Sequence, residues 1–131
     1  MLVRRDIFFS TGQFDERFFM YSEEVDLCVR ILSAGWQIIW LPQAQVVHLG
    51  GQSTRLVADQ MFLMLYRNKV EFFRKHYGQP ETALYKMLLY LVSLTRYLPG
   101  LLMKALTLVK SQALLDTTRQ YGLMLKKISS F

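Results

Sequence analysis

Three carboxylates, Glu23, Glu24 and Asp26, lie within a span of four residues and form the densest acidic group in the chain. They follow Ser22, a residue type that favours the N-cap of a helix. One interpretation is structural, because acids in a first turn gain about 0.3–1 kcal/mol from the helix dipole. The other is catalytic, with a carboxylate acting as general base toward a cleft. Successive helix positions differ by about 100°, so only one or two of the three can face such a cleft.

His48 is the second residue whose type can carry chemistry. It stands at the end of a β-rich run and just before Gly50 and Gly51. It is interpreted either as an ordinary strand histidine or as a ligand of a metal or phosphate, because neighbouring glycines let another group approach closely. His48 alone does not decide between the two.

A helix over residues 22–34 is predicted to position the acidic cluster. The helix is predicted to end before Gly35. An Asp26–Arg30 ion pair across one helical turn would stabilise the helix. The apolar face of this helix is predicted to comprise Val25, Cys28, Ile31 and Leu32. The helix would therefore present its polar N-terminus while burying one side.

The segments that follow predict an α/β fold. Residues 37–41 and 45–49 are β-rich runs separated by a turn at Pro42, and residues 1–5 are predicted to be a short strand end. A long helix over about residues 55–77 is predicted to end at Gly78.

Composition bounds the possible classes of protein. The chain has 131 residues, of which 52% are hydrophobic and 14% aromatic, so it is one domain's worth of sequence and too apolar for disorder. The single cysteine, Cys28, excludes an intramolecular disulfide and a metal cluster of cysteines, and favours a reducing compartment. Residues 1–54 carry four cations against six anions, whereas residues 55–131 carry twelve against four. The basic second part predicts contact with an anionic surface.

The tail beyond residue 80 combines long apolar residues with polar residues at helical spacing. The polar positions predicted to share one narrow face are Lys86, Ser93, Arg96, Gly100, Lys104, Thr107 and Ser111. Pro99 and Gly100 are predicted to break or kink this element. The tail either packs on the preceding domain or on another copy, or it is an interfacial membrane anchor flanked by cations, which are Lys86, Arg96, Lys104, Lys110, Lys126 and Lys127.

The sequence predicts neither a membrane-spanning helix or secretory signal nor nucleic acid as a partner. No apolar run reaches 18 uncharged residues, so a membrane-spanning helix is not predicted, and no secretory signal is recognised. The cations alternate with long apolar residues and not with stacking platforms, so nucleic acid is not expected as a partner.

Five linked motifs carry a family resemblance. In chain order they are FDE and FFMY within residues 14–21, EEVDL with Arg30 within 23–30, the segment from GW at 35–36 through Pro42 to VH-x-GG-x-S at 47–53, and KVEFFRKHYG at 69–78. Together they resemble the acceptor-binding half of family 2 glycosyltransferases, close to the rhamnosyltransferase-like branch. The resemblance covers about residues 1–77.

The resemblance implies an inverting glycosyltransferase of the GT-A fold, which here means a partial Rossmann-like sheet with helices, followed by an amphipathic α-helical tail. Glu24 stands where the family has its catalytic base, most often an aspartate. Glu23 beside it is implied to contact the acceptor or tune the base. The acceptor-binding or structural residues implied by the resemblance are Asp15, Tyr21, Asp26 and Arg30.

The donor side is also implied by the resemblance. His48 matches a position that helps to hold a divalent metal, Mg²⁺ or Mn²⁺, on the donor diphosphate. Gly50, Gly51 and Ser53 match a loop on the donor side. The nucleotide-sugar donor and a glycan or lipid-linked acceptor are the implied substrates.

The nucleotide-binding half of such enzymes carries an Asp-x-Asp motif, which does not occur in this sequence. Residues 1–80 are therefore expected to be the C-terminal half of a GT-A domain, from a truncated gene or a misassigned start, and inactive alone. Residues 81–131 are expected to be the membrane-interfacial tail. The implied setting is surface polysaccharide synthesis in the cytoplasm, peripheral on the inner face of the cell membrane. The alternative is a non-catalytic remnant that binds a membrane or a partner chain.

Overall fold

All regular secondary structure is helical in the residues that the computed structural model describes, which are 1–47, 57–106 and 111–131. The helices are α1 (Arg5–Ser10), α2 (Glu23–Ser33), α3 (Ala58–His76), α4 (Gln79–Ala105) and α5 (Gln112–Lys127), followed by a 3₁₀ helix (Ile128–Ser130). The chain forms two compact units, Met1–Val57 and Ala58–Phe131. The predicted division at residue 80 came from the resemblance and stays a prediction.

The predicted α/β fold, with its partial Rossmann-like sheet, is wrong for the described residues. Neither residues 37–41 nor the described part of 45–49 forms a strand, and residues 1–4, which belong to the predicted strand end, precede α1 without forming one. The side chains of Ile39, Trp40, Val46 and Val47 are between 78% and 88% exposed. Strand formation depends on pairing and on burial of one face more than on residue type. Residues 37–47 have neither here, so their β-rich composition does not become a sheet.

The first unit is built around a small apolar core. Ile7 of α1 packs against Leu27 and Ile31 of α2, with Val3 and Phe8 at the margin. Residues 37–39 line an open cavity of about 330 Å³ beside this core. The core therefore fixes α1 against α2 on the side of α2 that Leu27 and Ile31 share.

Helix α2 follows its predicted bounds closely. Glu23 is its first residue, and Gly35 beyond its end adopts a φ of +83°, which favours glycine. The predicted apolar face is only partly correct, because Val25 and Leu32 are 45% and 54% exposed. Leu27, which was not assigned to that face, is fully buried.

The second unit is a bundle of α3, α4 and α5. Leu89, Met124 and Ile128 form its buried core. Phe73 of α3 stacks on Tyr85 of α4 with ring centroids 4.5 Å apart. Helix α3 ends at His76 before Gly78, as predicted, although the start of the predicted helix lies outside the described residues.

Helix α4 continues through Pro99, so the predicted break at Pro99 and Gly100 is wrong, and the predicted kink stays a prediction. Gly100 lies so close to α5 that a Cβ placed on it would come within 1.9 Å of Thr118 Oγ1. Gly122 of α5 is similarly close to the ring of Tyr97. This close packing joins α4 to α5 directly after Pro99 and stabilises the helix where proline removes a hydrogen bond. None of the described helices is long and apolar enough to cross a membrane.

Candidate functional site

The N-terminus of α2 places the three predicted acids in three different environments. Glu24 is exposed, whereas Asp26 is fully buried. Glu23 is half-buried, and its Oε2 atom is buried without a hydrogen-bond partner among the described residues. The expectation that the three acids do not share one direction is confirmed. Glu24 is open to a ligand, and Glu23 has an unused acceptor oxygen beside it.

Asp26 is held by Arg30 from the next turn of α2, as predicted. Their Oδ2 and Nη2 atoms are 2.8 Å apart, and Arg30 Nε donates a second hydrogen bond to Oδ2 at 2.9 Å. Arg30 also donates to the main-chain oxygens of Thr11 and, at 2.6 Å, of Gln13. This arginine therefore ties α2 to the turn after α1 while it neutralises a buried carboxylate.

Asp15 has its carboxylate engaged by a neighbour in the loop that precedes α2. Arg17 Nη2 lies 2.7 Å from Asp15 Oδ2, and the main-chain N–H of Arg17 donates to Oδ1 at 3.1 Å. Phe18 is buried and anchors the loop, whereas Phe19 is 80% exposed. Asp15 therefore shapes the loop in this structure, and its predicted part in acceptor binding stays a prediction.

The backbone enters α2 through two consecutive residues in the left-handed region. Tyr21 has a φ of +69° and Ser22 a φ of +72°, values that residues with a Cβ seldom adopt. Ser22 occupies the predicted N-cap position, but within the described residues its hydroxyl makes no capping hydrogen bond. Such conformations cost of order 1–3 kcal/mol each and tend to occur at functional sites. This turn directly precedes Glu23 and Glu24.

The residues predicted to lie on the donor side are not among those that the structure describes. His48, Gly50, Gly51 and Ser53 lie outside the described residues. Within the described ranges, no three His, Cys, Asp or Glu side chains come together as a metal site. The divalent metal implied by the resemblance stays a prediction.

Sequence reasoning missed the partners of Arg30 in the turn at residues 11–13. These partners are main-chain oxygens of Thr11 and Gln13, so no side-chain type reveals them. The only local signal is Gly12, whose φ of +86° allows the turn between them.

Comparison with known proteins finds similarity to rhamnosyltransferases. Over 54 residues, 41% of this chain, the sequence is 50% identical to N-acetylglucosaminyl-diphospho-decaprenol L-rhamnosyltransferase of Mycobacterium tuberculosis strains CDC 1551 and H37Rv. Over 62 residues, 47% of the chain, it is 34% identical to rhamnosyltransferase WbbL of Escherichia coli K12. The chain resembles rhamnosyltransferases over less than half of its length.

The matched segments cover 18% of the mycobacterial proteins and 24% of WbbL. The chain therefore matches less than a quarter of the length of each of these relatives. No protein-family model matches the chain, and no solved structure matches it significantly.

Proposed function

We propose that this chain is the acceptor-side and catalytic-base segment of a glycosyltransferase that moves a sugar from a nucleotide-sugar to a lipid-linked acceptor. The observation that carries the proposal is the 50% identity over 54 residues with a rhamnosyltransferase whose name specifies a diphospho-decaprenol acceptor. The arrangement at the start of α2 supports it, because Glu24 is exposed there and the neighbouring Glu23 has a carboxylate oxygen without a hydrogen-bond partner among the described residues.

The proposed reaction is an inverting displacement. An acceptor hydroxyl oxygen attacks the anomeric carbon, the bond from that carbon to the diphosphate oxygen breaks, and the hydroxyl proton passes to the Glu24 carboxylate. The nucleoside diphosphate leaves with the bonding electron pair. Glu24 suits the role of base because its side chain is exposed at the second residue of α2.

Glu23 is proposed to bind the acceptor. Its Oε2 atom is buried and has no hydrogen-bond partner in the part of the chain that the structure describes. A buried carboxylate oxygen without a donor is unfavourable, so an acceptor hydroxyl that donates to it supplies a missing interaction. A hydrogen bond of this kind would orient the acceptor beside Glu24.

Asp26 and Arg30 are proposed as positioning residues. Arg30 joins α2 to the main chain at Thr11 and Gln13, and Asp26 fixes the arginine from inside the core. The pair therefore holds the start of α2 in place without meeting the substrate. No step of the proposed reaction passes through the metal that the resemblance implies.

Photo-crosslinking of the acceptor tests this assignment with the 131-residue chain. The probe is polyprenyl-diphosphate N-acetylglucosamine with a diazirine on the sugar, followed by peptide mapping. We expect labelling between residues 14 and 24 that is reduced in Glu23→Gln and unchanged in Glu16→Gln. Labelling no stronger than that of a diazirine-bearing polyprenyl phosphate without sugar, or labelling that maps only elsewhere, would contradict the proposal.

A further inference from the structure

Helix α4 carries a long apolar face that the bundle does not cover. Six of its side chains, which we call the outer face, are each between 49% and 61% exposed; they are Leu84, Met87, Leu88, Leu91, Leu98 and Leu102. The helix has 27 residues and is therefore about 40 Å long. Contiguous exposed apolar surface on this scale marks an interaction site in soluble proteins.

The packing of α4 against its neighbours keeps this face outward. The buried positions of α4 form a separate stripe of mostly small residues, which are Thr82, Leu89, Ser93 and Gly100. The buried hydroxyls are satisfied within their own helix, because Ser93 Oγ donates to the Leu89 oxygen at 2.7 Å and Thr82 Oγ1 to the Gly78 oxygen at 2.6 Å. These polar residues therefore act as close-packing positions against the bundle.

The fit between α4 and α5 leaves no room for the outer face to turn inward. Gly100 meets Thr118, and Gly122 meets Tyr97, at distances that exclude a further methyl group. Rotating α4 to bury a leucine at this seam would separate the two helices. Ser93 and Gly100, predicted on a polar face, thus lie on the buried side of α4.

The cations of α4 lie on the side of the helix that meets the bundle and not around the outer face. The outer face contains no charged residue, and Lys86 and Arg96 lie about 40° on either side of the buried stripe. Lys104, Arg119 and Lys126, together with Asp116, line a cleft of about 450 Å³ between α4 and α5. Residues 58–131 carry eleven Lys and Arg against four Asp and Glu, a net charge of +7.

We propose that the outer face of α4 docks into the interface of an anionic lipid bilayer. Its leucines and methionine would enter the boundary between headgroups and acyl chains, as amphipathic interfacial helices do. The charge decides the occupant, because a net charge of +7 attracts anionic headgroups and repels a second copy of the same unit. The proposal goes beyond glycosyl transfer and does not depend on it.

Vesicle sedimentation with the 131-residue chain tests this docking. The vesicles are phosphatidylcholine alone or phosphatidylcholine with 30 mol% phosphatidylglycerol, each at 0.1 M and 0.5 M salt. We expect binding to the anionic vesicles that weakens severalfold at the higher salt, and much weaker binding to the neutral vesicles.

Three variants locate the contact. Leu91→Glu should weaken binding about tenfold or more, because it puts a charge where an apolar side chain is to be buried. Lys104→Gln combined with Lys126→Gln lowers the net charge of residues 58–131 from +7 to +5 and should weaken binding to anionic vesicles severalfold. Val46→Glu is the matched control, since Val46 is an 88% exposed apolar residue outside the bundle, and it should bind like the wild type.

Circular dichroism is used to check that each variant keeps its helices. Sedimentation velocity measures the oligomeric state of the protein without lipid. Equal binding by Leu91→Glu and the wild type would overturn the proposal, as would equal binding to neutral and anionic vesicles. A dimer that Leu91→Glu converts to a monomer, with no vesicle binding by either, would assign the face to a second copy and also overturn it.

Discussion

Arg30 neutralises the fully buried carboxylate of Asp26 at 2.8 Å and, with the same guanidinium group, holds the main-chain oxygen of Gln13. The arginine side chain is itself only 20% exposed. Arg30 thus compensates a buried charge and also holds the turn at residues 11–13, which precedes the loop before α2. Removing it would leave the Asp26 carboxylate buried and without this cation.

Arg30→Ala is expected to lower the free energy of unfolding of the first unit by about 3 kcal/mol, because breaking a buried pair leaves an uncompensated charge. Urea unfolding followed by tryptophan fluorescence reports on this unit, since both tryptophans, Trp36 and Trp40, belong to it. The matched control is Arg17→Ala, which breaks a more exposed pair with Asp15 and should cost at most about 1 kcal/mol. Equal losses in both variants would contradict the account.

Ser22→Gly is expected to raise the free energy of unfolding by about 0.5–1 kcal/mol, because glycine adopts the left-handed conformation of Ser22 without a Cβ penalty. Ser22→Ala should change it by less than about 0.5 kcal/mol, since no capping hydrogen bond of Ser22 is lost in the described structure. The same urea titration checks both variants. A loss of 1 kcal/mol or more in Ser22→Ala would show that the hydroxyl does cap the helix.

Gly100→Ala is expected to destabilise the helical unit by about 1–3 kcal/mol, because the new methyl group overlaps Thr118 Oγ1. Thr118→Ala should recover part of this loss in the double variant, since it removes the overlapping oxygen. A double-mutant cycle by thermal unfolding at 222 nm measures the coupling between the two positions. Additive effects would mean that α4 and α5 do not meet at this pair.

The helical unit is expected to lose stability as pH rises from about 10 to about 12. Burial, and then the hydrogen bond with Tyr121, raises the pKa of Tyr66 to about 12, and burial also raises the pKa of Tyr85. The unfolded chain releases these protons near pH 10, before the folded one does, so the stabilisation is complete below pH 10 and is lost above it.

Thermal unfolding at pH 9, 10 and 11 tests this dependence. Tyr66→Phe, which cannot ionise at this position, should show a shallower decline with pH than the wild type. An identical decline in both proteins would place the alkaline sensitivity at other groups.

Local rules predicted the features that depend on neighbours in sequence. The start of α2 after Ser22, its end before Gly35 and the Asp26–Arg30 pair all follow from spacing and capping preferences within a few residues. The end of α3 before Gly78 is of the same kind.

Features that depend on distant partners were not predictable in this way. Residues 37–47 have the composition of strands, but composition does not supply a pairing partner. Pro99 was expected to break or kink its helix, whereas α4 continues to Ala105, and Gly100 contacts Thr118, which lies 18 positions along the chain. The oxygens of Thr11 and Gln13 that accept hydrogen bonds from Arg30 belong to the main chain, so the residue types do not indicate them.

The most direct test of the central claim is sugar transfer by the protein isolated from its own cells, with Glu24→Gln introduced at the chromosomal gene. The assay follows radiolabelled sugar from nucleotide-linked rhamnose to polyprenyl-diphosphate N-acetylglucosamine. We predict that the wild type transfers the sugar and that Glu24→Gln lowers kcat by about 10²–10⁴-fold, the contribution of general base catalysis, while Glu16→Gln stays within about twofold. Undiminished turnover in Glu24→Gln, or no transfer by the wild type, would contradict the account.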